Sequence, residues 1–172
     1  MMYETEVKLA TGDLAAVRAR LAALGARLKE RVEDESDLQF GAKGDPEALA
    51  DQVLRLRIIG EGGMLTWKGP AAFERGVKNR EELQTTVADA VMMRQILDRL
   101  GYHVRLEYTK RREYWDLRGL TVSLDELPFG TFVEVEGDGS RIEQAVLDLG
   151  LEAAARIEEG YPQLAARWLG QK

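Results

Sequence analysis

Tyr3-Glu4-Thr5-Glu6-Val7-Lys8-Leu9 sets ionised side chains at every second position near the start of the chain. In an extended strand successive side chains point to opposite faces, so Glu4, Glu6 and Lys8 share one face while Val7 and Leu9 point the other way. Phe132-Val133-Glu134-Val135-Glu136 repeats the pattern near the other end, with Glu134 and Glu136 together and Val133 and Val135 opposed to them. Between these two stretches lie matched pairs of cations. Leu54-Arg55-Leu56-Arg57-Ile58 alternates Arg with apolar residues, and Leu65-Thr66-Trp67-Lys68 sets Thr and Lys against Leu and Trp. Arg80 and Glu82 share a face that Gln84 and Thr86 continue, and Tyr108, Lys110 and Arg112 share another. One such strand describes any half-buried antiparallel strand with its polar face in water. Several together, dense in charges of both signs, call for more.

Outward from these strands the chain reads as β-structure punctuated by helices. Thr11-Gly12-Asp13 offers a helix start, followed by Leu14, Val17, Leu21 and Leu24 at helical spacing and by Gly25 as a stop. A long strand is expected from about Arg27 to Phe40. Gly41-Ala42-Lys43-Gly44-Asp45-Pro46 reads as a loop, with a short turn of helix reaching Gln52. Strands over Val53–Ile59 and Met64–Lys68 flank the hairpin turn Gly60-Glu61-Gly62-Gly63. Gly69-Pro70 opens a second loop that reaches Gly76 and carries Phe73, and a strand over Val77–Val87 follows. Asp89 caps a helix whose Val91, Ile96, Leu97 and Leu100 make an apolar stripe ending at Gly101. Strands are expected over His103–Leu117, Leu120–Glu126 and Thr131–Glu136. Ser140 caps a helix through Leu149, stopped by Gly150, and a last helix carries Tyr161, Leu164 and Trp168 to Leu169. These connection lengths suit one domain over residues 1–172.

Composition narrows the function. With 45% apolar and 31% charged residues over 172, the chain can build a core of its own. No run approaches the roughly 20 apolar residues of a membrane span, and Met1-Met2-Tyr3-Glu4 shows no secretory signal. The absence of Cys excludes disulfides, thiolate catalysis and zinc–thiolate sites, and suits a reducing cytoplasm. His103 is the lone histidine and reads as a strand-end residue, so Ser-His-Asp chemistry has little support. A net charge of −6 does not invite nucleic acid. The basic residues are interleaved with carboxylates on strands instead of forming a tail or patch. Trp168 and Leu169 fit either core or interface, so a homodimer is compatible with the sequence.

The apolar strand faces must be covered, and helices with apolar stripes are available to cover them. The charged faces are then either open to water or turned inward by closure of the sheet. Closing about eight strands leaves room inside for a small ligand. Mixed acids and bases can neutralise one another there, together with a metal and a polyphosphate. Paired carboxylates on Glu4, Glu6, Glu134 and Glu136 are oxygen donors suited to a hard divalent cation. The expectation is an α+β fold: an antiparallel β-barrel of about eight strands forming a charged tunnel, with helices packed outside.

A set of segments in one order carries a resemblance. They are Glu4-x-Glu6-x-Lys8, Leu54-Arg55-Leu56-Arg57, Leu65-Thr66-Trp67-Lys68-Gly69-Pro70 and Arg80-Glu81-Glu82. Lys110-Arg111-Arg112, Leu124-Asp125-Glu126 and Gly130-Thr131-Phe132-Val133-Glu134-Val135-Glu136 continue the series. With these residues the chain resembles the CYTH superfamily of triphosphate tunnel enzymes over nearly its whole length. That family includes class IV adenylate cyclases and thiamine triphosphatases. The Lys68-Gly69-Pro70 turn and the Leu-Gly-Tyr break at 100–102 look most similar to the bacterial class IV cyclases. The resemblance implies Mg²⁺ or Mn²⁺ on Glu4, Glu6, Glu134 and Glu136. It implies phosphate contacts from Lys8, Arg55, Arg57, Lys68, Arg80, Lys110 and Arg112. Lys8, Asp125 and Glu136 would act catalytically, with Asp125 near the metal or the attacking group and Glu82 as a supporting acid.

Two departures stand out. Many relatives carry Asp-x-Tyr-Phe where this chain has Asp37-Leu38-Gln39-Phe40, and Gln84 replaces a second acid, leaving one fewer carboxylate for a second ion. The resemblance implies a nucleoside or other triphosphate as substrate. A cyclase brings the ribose 3′-hydroxyl to the α-phosphorus, and a triphosphatase brings water to the γ-phosphorus. A domain that only senses polyphosphate would not require carboxylates on both end strands.

Overall fold

The computed structural model describes residues 2–44, 51–74 and 77–170, with the backbone alone for Met2, Tyr3, Glu4, Glu74 and Val77. Along the chain come β1 (Met2–Ala10), α1 (Leu14–Ala23), β2 (Arg27–Ala42), β3 (Val53–Ile59) and β4 (Gly62–Lys68). Next are β5 (Ala72–Glu74), β6 (Val77–Val87), α2 (Ala90–Arg99), β7 (Tyr102–Leu117) and β8 (Leu120–Leu127). β9 (Gly130–Glu136), α3 (Gly139–Asp148) and α4 (Tyr161–Leu169) complete the order. The strands run β1-β9-β8-β7-β2-β3-β4-β6-β5, and β1 also pairs with β6. That second pairing, from Met2 opposite Glu82 to Glu6 opposite Lys78, closes eight antiparallel strands into a barrel and leaves β5 on the rim.

The two faces of the wall have opposite chemistry. Val7 stands opposite Val135 and Leu9 opposite Val133, and all four are almost fully enclosed. They pack with Leu14, Val17 and Leu21 of α1 and with Ile142, Ala145 and Val146 of α3. α1 starts where the Asp13 carboxylate accepts from the Ala16 N–H at 2.8 Å, satisfying a donor that the first turn leaves without a partner. α2 lies over a second cluster, setting Ala90 and Leu97 on Leu38, Phe40 and Leu56. α4 packs differently. Its Tyr161 and Leu164 contact Tyr108 and Phe132, which are in step with Lys110 and Glu134 on the inner face, so α4 lies across one end of the barrel.

The β3–β4 hairpin shows why its turn is rich in glycine. A Cβ on Gly63 would lie 1.9 Å from the Arg57 carbonyl oxygen, and Gly60 has φ +62. Only glycine lets the two strands approach this closely while the chain reverses.

Several expectations are corrected. The N-cap of α3 is Asp138, whose carboxylate accepts from the Ser140 N–H at 3.0 Å and from its hydroxyl at 2.7 Å. An ionised acceptor suits a helix N-terminus better than the neutral Ser140. The expected loop from Gly69 to Gly76 contains β5, which pairs with Val77–Asn79. β2 runs on to Ala42 because β7 supplies a partner at Tyr102. On α2 the stripe of Val91, Ile96, Leu97 and Leu100 is not the buried face: Leu97 is enclosed, but Val91, Ile96 and Leu100 are exposed. Most of the turn expected before Gln52 and the side chain of Glu4 lie outside the described residues. Among the described residues no helix is long and apolar enough to cross a membrane.

Candidate active site

A cavity of about 720 Å³ occupies the barrel interior. Glu6 and Lys8 of β1, Glu134 and Glu136 of β9, and Arg55 and Arg57 of β3 line it. Lys68 of β4, Arg80 and Glu82 of β6, and Lys110 and Arg112 of β7 line it as well. Alternation in the strands and closure of the sheet together bring these groups to one space. Asp125 is not among the lining residues. It is wholly enclosed behind Arg112, which forks onto both its oxygens.

Sequence reasoning missed several residues here. Lys78 lines the cavity and pairs with Glu6. It shares the face of Arg80 and Glu82 by simple alternation, so it was there to be read. Glu35 and Asp37 are fully buried and aim at the lining cations, and they were harder to find. The β2–β7 register shifts between Val32 and Glu35, where three steps on β2 oppose two on β7. Such a bulge reverses which parity faces inward, so Glu30 lines the cavity from one side of it and Gln39 from the other. Tyr161 arrives from α4, an element that carried no ionic pattern.

On the β2–β3–β7 side, cations are locked to acids. Arg57 donates to both Asp37 oxygens at 2.8 and 2.9 Å and to the Tyr114 hydroxyl at 3.2 Å. Its Nε is also 2.8 Å from Glu35 Oε1. Lys110 Nζ lies 3.0 Å from the same Glu35 oxygen, yet the approach is too bent to count as a hydrogen bond, so the contact is ionic only. Burial opposes ionisation of Asp37, but Arg55, Arg57 and Lys110 outweigh it and hold its carboxyl far below the usual range. Glu35 is likewise held low by Lys110, Arg57 and Arg112 against its burial. Lys110 has the opposite fate. Burial, with repulsion from Arg112 and Arg57, brings its ammonium down from 10.5 to about 8.

On the β1–β9–β6 side, Glu6 stands opposite Glu136 in the register and Lys8 opposite Glu134. Lys8 Nζ is 3.5 Å from Glu134, which Arg112 also engages. Burial alone would raise the Glu134 carboxyl, but Arg112 and Lys8 hold it well below the ordinary range. Lys68 lies 3.0 Å from Glu82, and Arg80 donates to the Gly69 carbonyl at 3.0 Å. The donors on Glu6, Glu134 and Glu136 are all carboxylate oxygens facing one cavity, which fits a hard divalent ion. Among the described residues no three acidic groups are gathered closely enough to enclose one. Glu6 is drawn to Lys78, and Glu134 to Arg112 and Lys8. An entering ion must take these carboxylates from their cations.

α4 completes the wall at one end. The Tyr161 hydroxyl donates to Asp125 at 2.5 Å, and its ring lies under two ammonium groups, Lys8 at 4.2 Å and Lys110 at 5.0 Å from the centroid. Lys8 also donates to the Glu159 carbonyl at 3.0 Å. Cations over an aromatic face are attracted to it without being neutralised, so the ring steadies both ammonium groups.

The fold is a closed antiparallel barrel whose cavity is lined by both acids and bases. Residues 2–161 match the CYTH domain model, and the chain belongs to that family. It is 29% identical over 144 residues, 83% of this chain and 81% of the relative, to a Methanocaldococcus jannaschii protein named "Putative adenylate cyclase". A Vibrio parahaemolyticus protein with the same description superposes with a TM-score of 0.81 at 19% identity, covering 96% of this chain and 98% of that one. HpAC1 of Hippeastrum, an adenylyl cyclase by a similarly qualified name, is stated to have a dominant triphosphatase activity. It aligns at TM-score 0.64 and 18% identity over 97% and 96% of the two chains. These structural likenesses establish the fold.

Proposed function

We propose that the protein is a metal-dependent enzyme acting on a triphosphate, and that its reaction is cyclisation of ATP to cyclic AMP and pyrophosphate. The observation that carries this is the set of Arg55, Lys68, Arg80, Lys110 and Arg112 lining one barrel cavity together with the carboxylates of Glu6, Glu134 and Glu136. Arg offers forked donors to phosphate oxygens and Lys a point charge. Glu6, Glu134 and Glu136 would hold Mg²⁺ or Mn²⁺. When bound, the ion neutralises phosphate oxygens and makes the attacking hydroxyl more acidic. Lys8 and Lys110, steadied over Tyr161, would hold the phosphate chain, and Asp125 would act by fixing Arg112 in place. Glu136, the exposed carboxylate of the set, would accept the proton that the attacking hydroxyl gives up. Phosphoryl and nucleotidyl transfers depend mainly on position and charge, so a site without Cys or a second His suffices.

Val53, Met64 and Phe73 also line the cavity. An inorganic chain has no use for apolar walls, whereas a purine ring does, which favours a nucleotide. The second reading, a triphosphatase, is supported by the dominance of ionic groups in the lining. A phosphorus NMR time course with ATP, thiamine triphosphate and tripolyphosphate, each with Mg²⁺ or Mn²⁺, separates the two. Pyrophosphate with cyclic AMP is expected, and EDTA should abolish the reaction. ADP and orthophosphate without cyclic nucleotide would establish the triphosphatase instead.

A further inference from the structure

Gln39 places a neutral amide among the charges of the cavity. It is 9% exposed, and among the described residues no hydrogen bond reaches its side chain. Burying a carboxamide in this way costs free energy, because neither its N–H groups nor its carbonyl oxygen regains the hydrogen bonds given up in water. Arg55 stands opposite Gln39 in the β2–β3 register, and its Nε is buried without a hydrogen-bond partner as well. Hydrogen-bonding capacity is left over at this one place, which points to a ligand.

Other neutral groups in the lining are already engaged or wet. The Tyr108 hydroxyl donates to Asp37 at 3.2 Å, and the Tyr114 hydroxyl donates to Glu35 at 2.7 Å. Gln84 and Gln163 also line the cavity, but both are exposed, so water can serve them.

The chemistry of an amide restricts what it can meet. Phosphate oxygens only accept, so they would satisfy the Gln39 N–H groups while facing its carbonyl oxygen with like charge. A ligand that satisfies both ends carries a donor beside an acceptor. Adenine does so: its 6-amino group donates and the adjoining ring nitrogen accepts, giving two parallel hydrogen bonds to a glutamine amide. Apolar surface is close by. Val53 is the next inward residue of β3 after Arg55, and it lines the cavity together with Phe73 of β5. A flat aromatic base gains from such walls, and an inorganic anion does not.

We propose that Gln39 reads the base of the bound nucleotide, selecting adenine by a paired hydrogen bond in a subsite walled by Val53 and Phe73. The inference rests on the reading of the protein as a nucleotide triphosphate enzyme. It holds for cyclisation and for hydrolysis of ATP alike.

Isothermal titration calorimetry in EDTA, where no turnover is expected, tests it with ATP, GTP, tripolyphosphate and the triphosphate of purine riboside, which lacks the 6-amino group. The wild type should bind ATP about 10- to 100-fold more tightly than the purine riboside analogue. Gln39→Leu should bring those two ligands within about 3-fold of each other while holding tripolyphosphate about as tightly as before. Gln39→Glu should lower the preference for ATP over GTP at least about 10-fold, because a carboxylate only accepts and guanine presents two adjacent N–H donors. Circular dichroism melting confirms that both variants fold, and the comparison of analogues on the wild type needs no variant. Equal wild-type affinity for ATP and the purine riboside analogue overturns the proposal. So does a preference that Gln39→Leu leaves unchanged, or a Gln39→Leu variant that loses tripolyphosphate as severely as ATP. Binding of tripolyphosphate without binding of ATP overturns the base subsite and leaves a triphosphate cavity standing. Failure of all four to bind overturns the triphosphate reading and this inference together.

Discussion

Lys110 concentrates the physics of the site in one side chain. Burial brings its ammonium down to about 8, while its neighbours Glu35 and Asp37 stay ionised. If the charged form binds phosphate, kcat/KM should fall as pH rises through about 8, and the fall should be absent in Lys110→Arg. Its effect on stability has the opposite sign. Between about 8 and 10.5 the unfolded chain holds this proton more tightly than the folded one, so the Lys110 contribution to stability grows with pH. Activity falling while the unfolding midpoint rises is the signature, and parallel decline would refute it. Lys78 makes a second case. Its ion pair occupies Glu6, so Lys78→Gln should bind Mn²⁺ alone more tightly than the wild type and tripolyphosphate less tightly. Electron paramagnetic resonance of free Mn²⁺ reads the first effect directly. Unchanged or weaker Mn²⁺ binding would show that Glu6 is not being withheld.

At the scale of elements, α4 connects the end of the chain to the site. Tyr161→Phe removes only the hydroxyl that Asp125 accepts from, and should cost about 1–2 kcal/mol in urea unfolding. Tyr161→Ala also removes a ring packed on Phe132 and under Lys8, and should cost about 3–5 kcal/mol. If the ring positions Lys8, the Ala variant loses substrate affinity well beyond the Phe variant, while a purely structural role leaves KM of the folded fraction unchanged. The same scale separates what could be read in the chain from what could not. The alternation in β1, β3, β4 and β9 needed only a period of two, and each inward residue was legible. β2 was not, because its bulge reverses parity between Val32 and Glu35 and conceals two acids. On α2 the heptad-like stripe was legible as helix, but its buried arc depends on where the barrel wall lies.

For the whole molecule, the middle of the barrel is ionic, two apolar clusters lie outside the wall and a third, under α4, closes one end. Such an interior is stable only while its charges are mutually paired. Asp37→Asn leaves Arg57 and Lys110 short of a partner and should cost about 3–5 kcal/mol. An anionic ligand can repay part of that loss, so tripolyphosphate should raise the melting temperature of Asp37→Asn more than that of the wild type. An equal rise in both would mean that these cations do not meet the ligand.

Sequence alone determined that Glu6, Lys8, Arg55, Arg57, Lys68, Lys110, Arg112 and Glu134 sit on the polar faces of strands, because strand alternation is local and needs no partner. It also determined that helices with apolar stripes would cover the other faces. Tertiary structure decided that β1 meets β6 and closes the wall, that Asp125 stands behind Arg112, and that Tyr161 returns from the end of the chain to lie under Lys8 and Lys110. Which acid neutralises which base depends on distances between residues far apart in the chain, and only a closed sheet sets those distances.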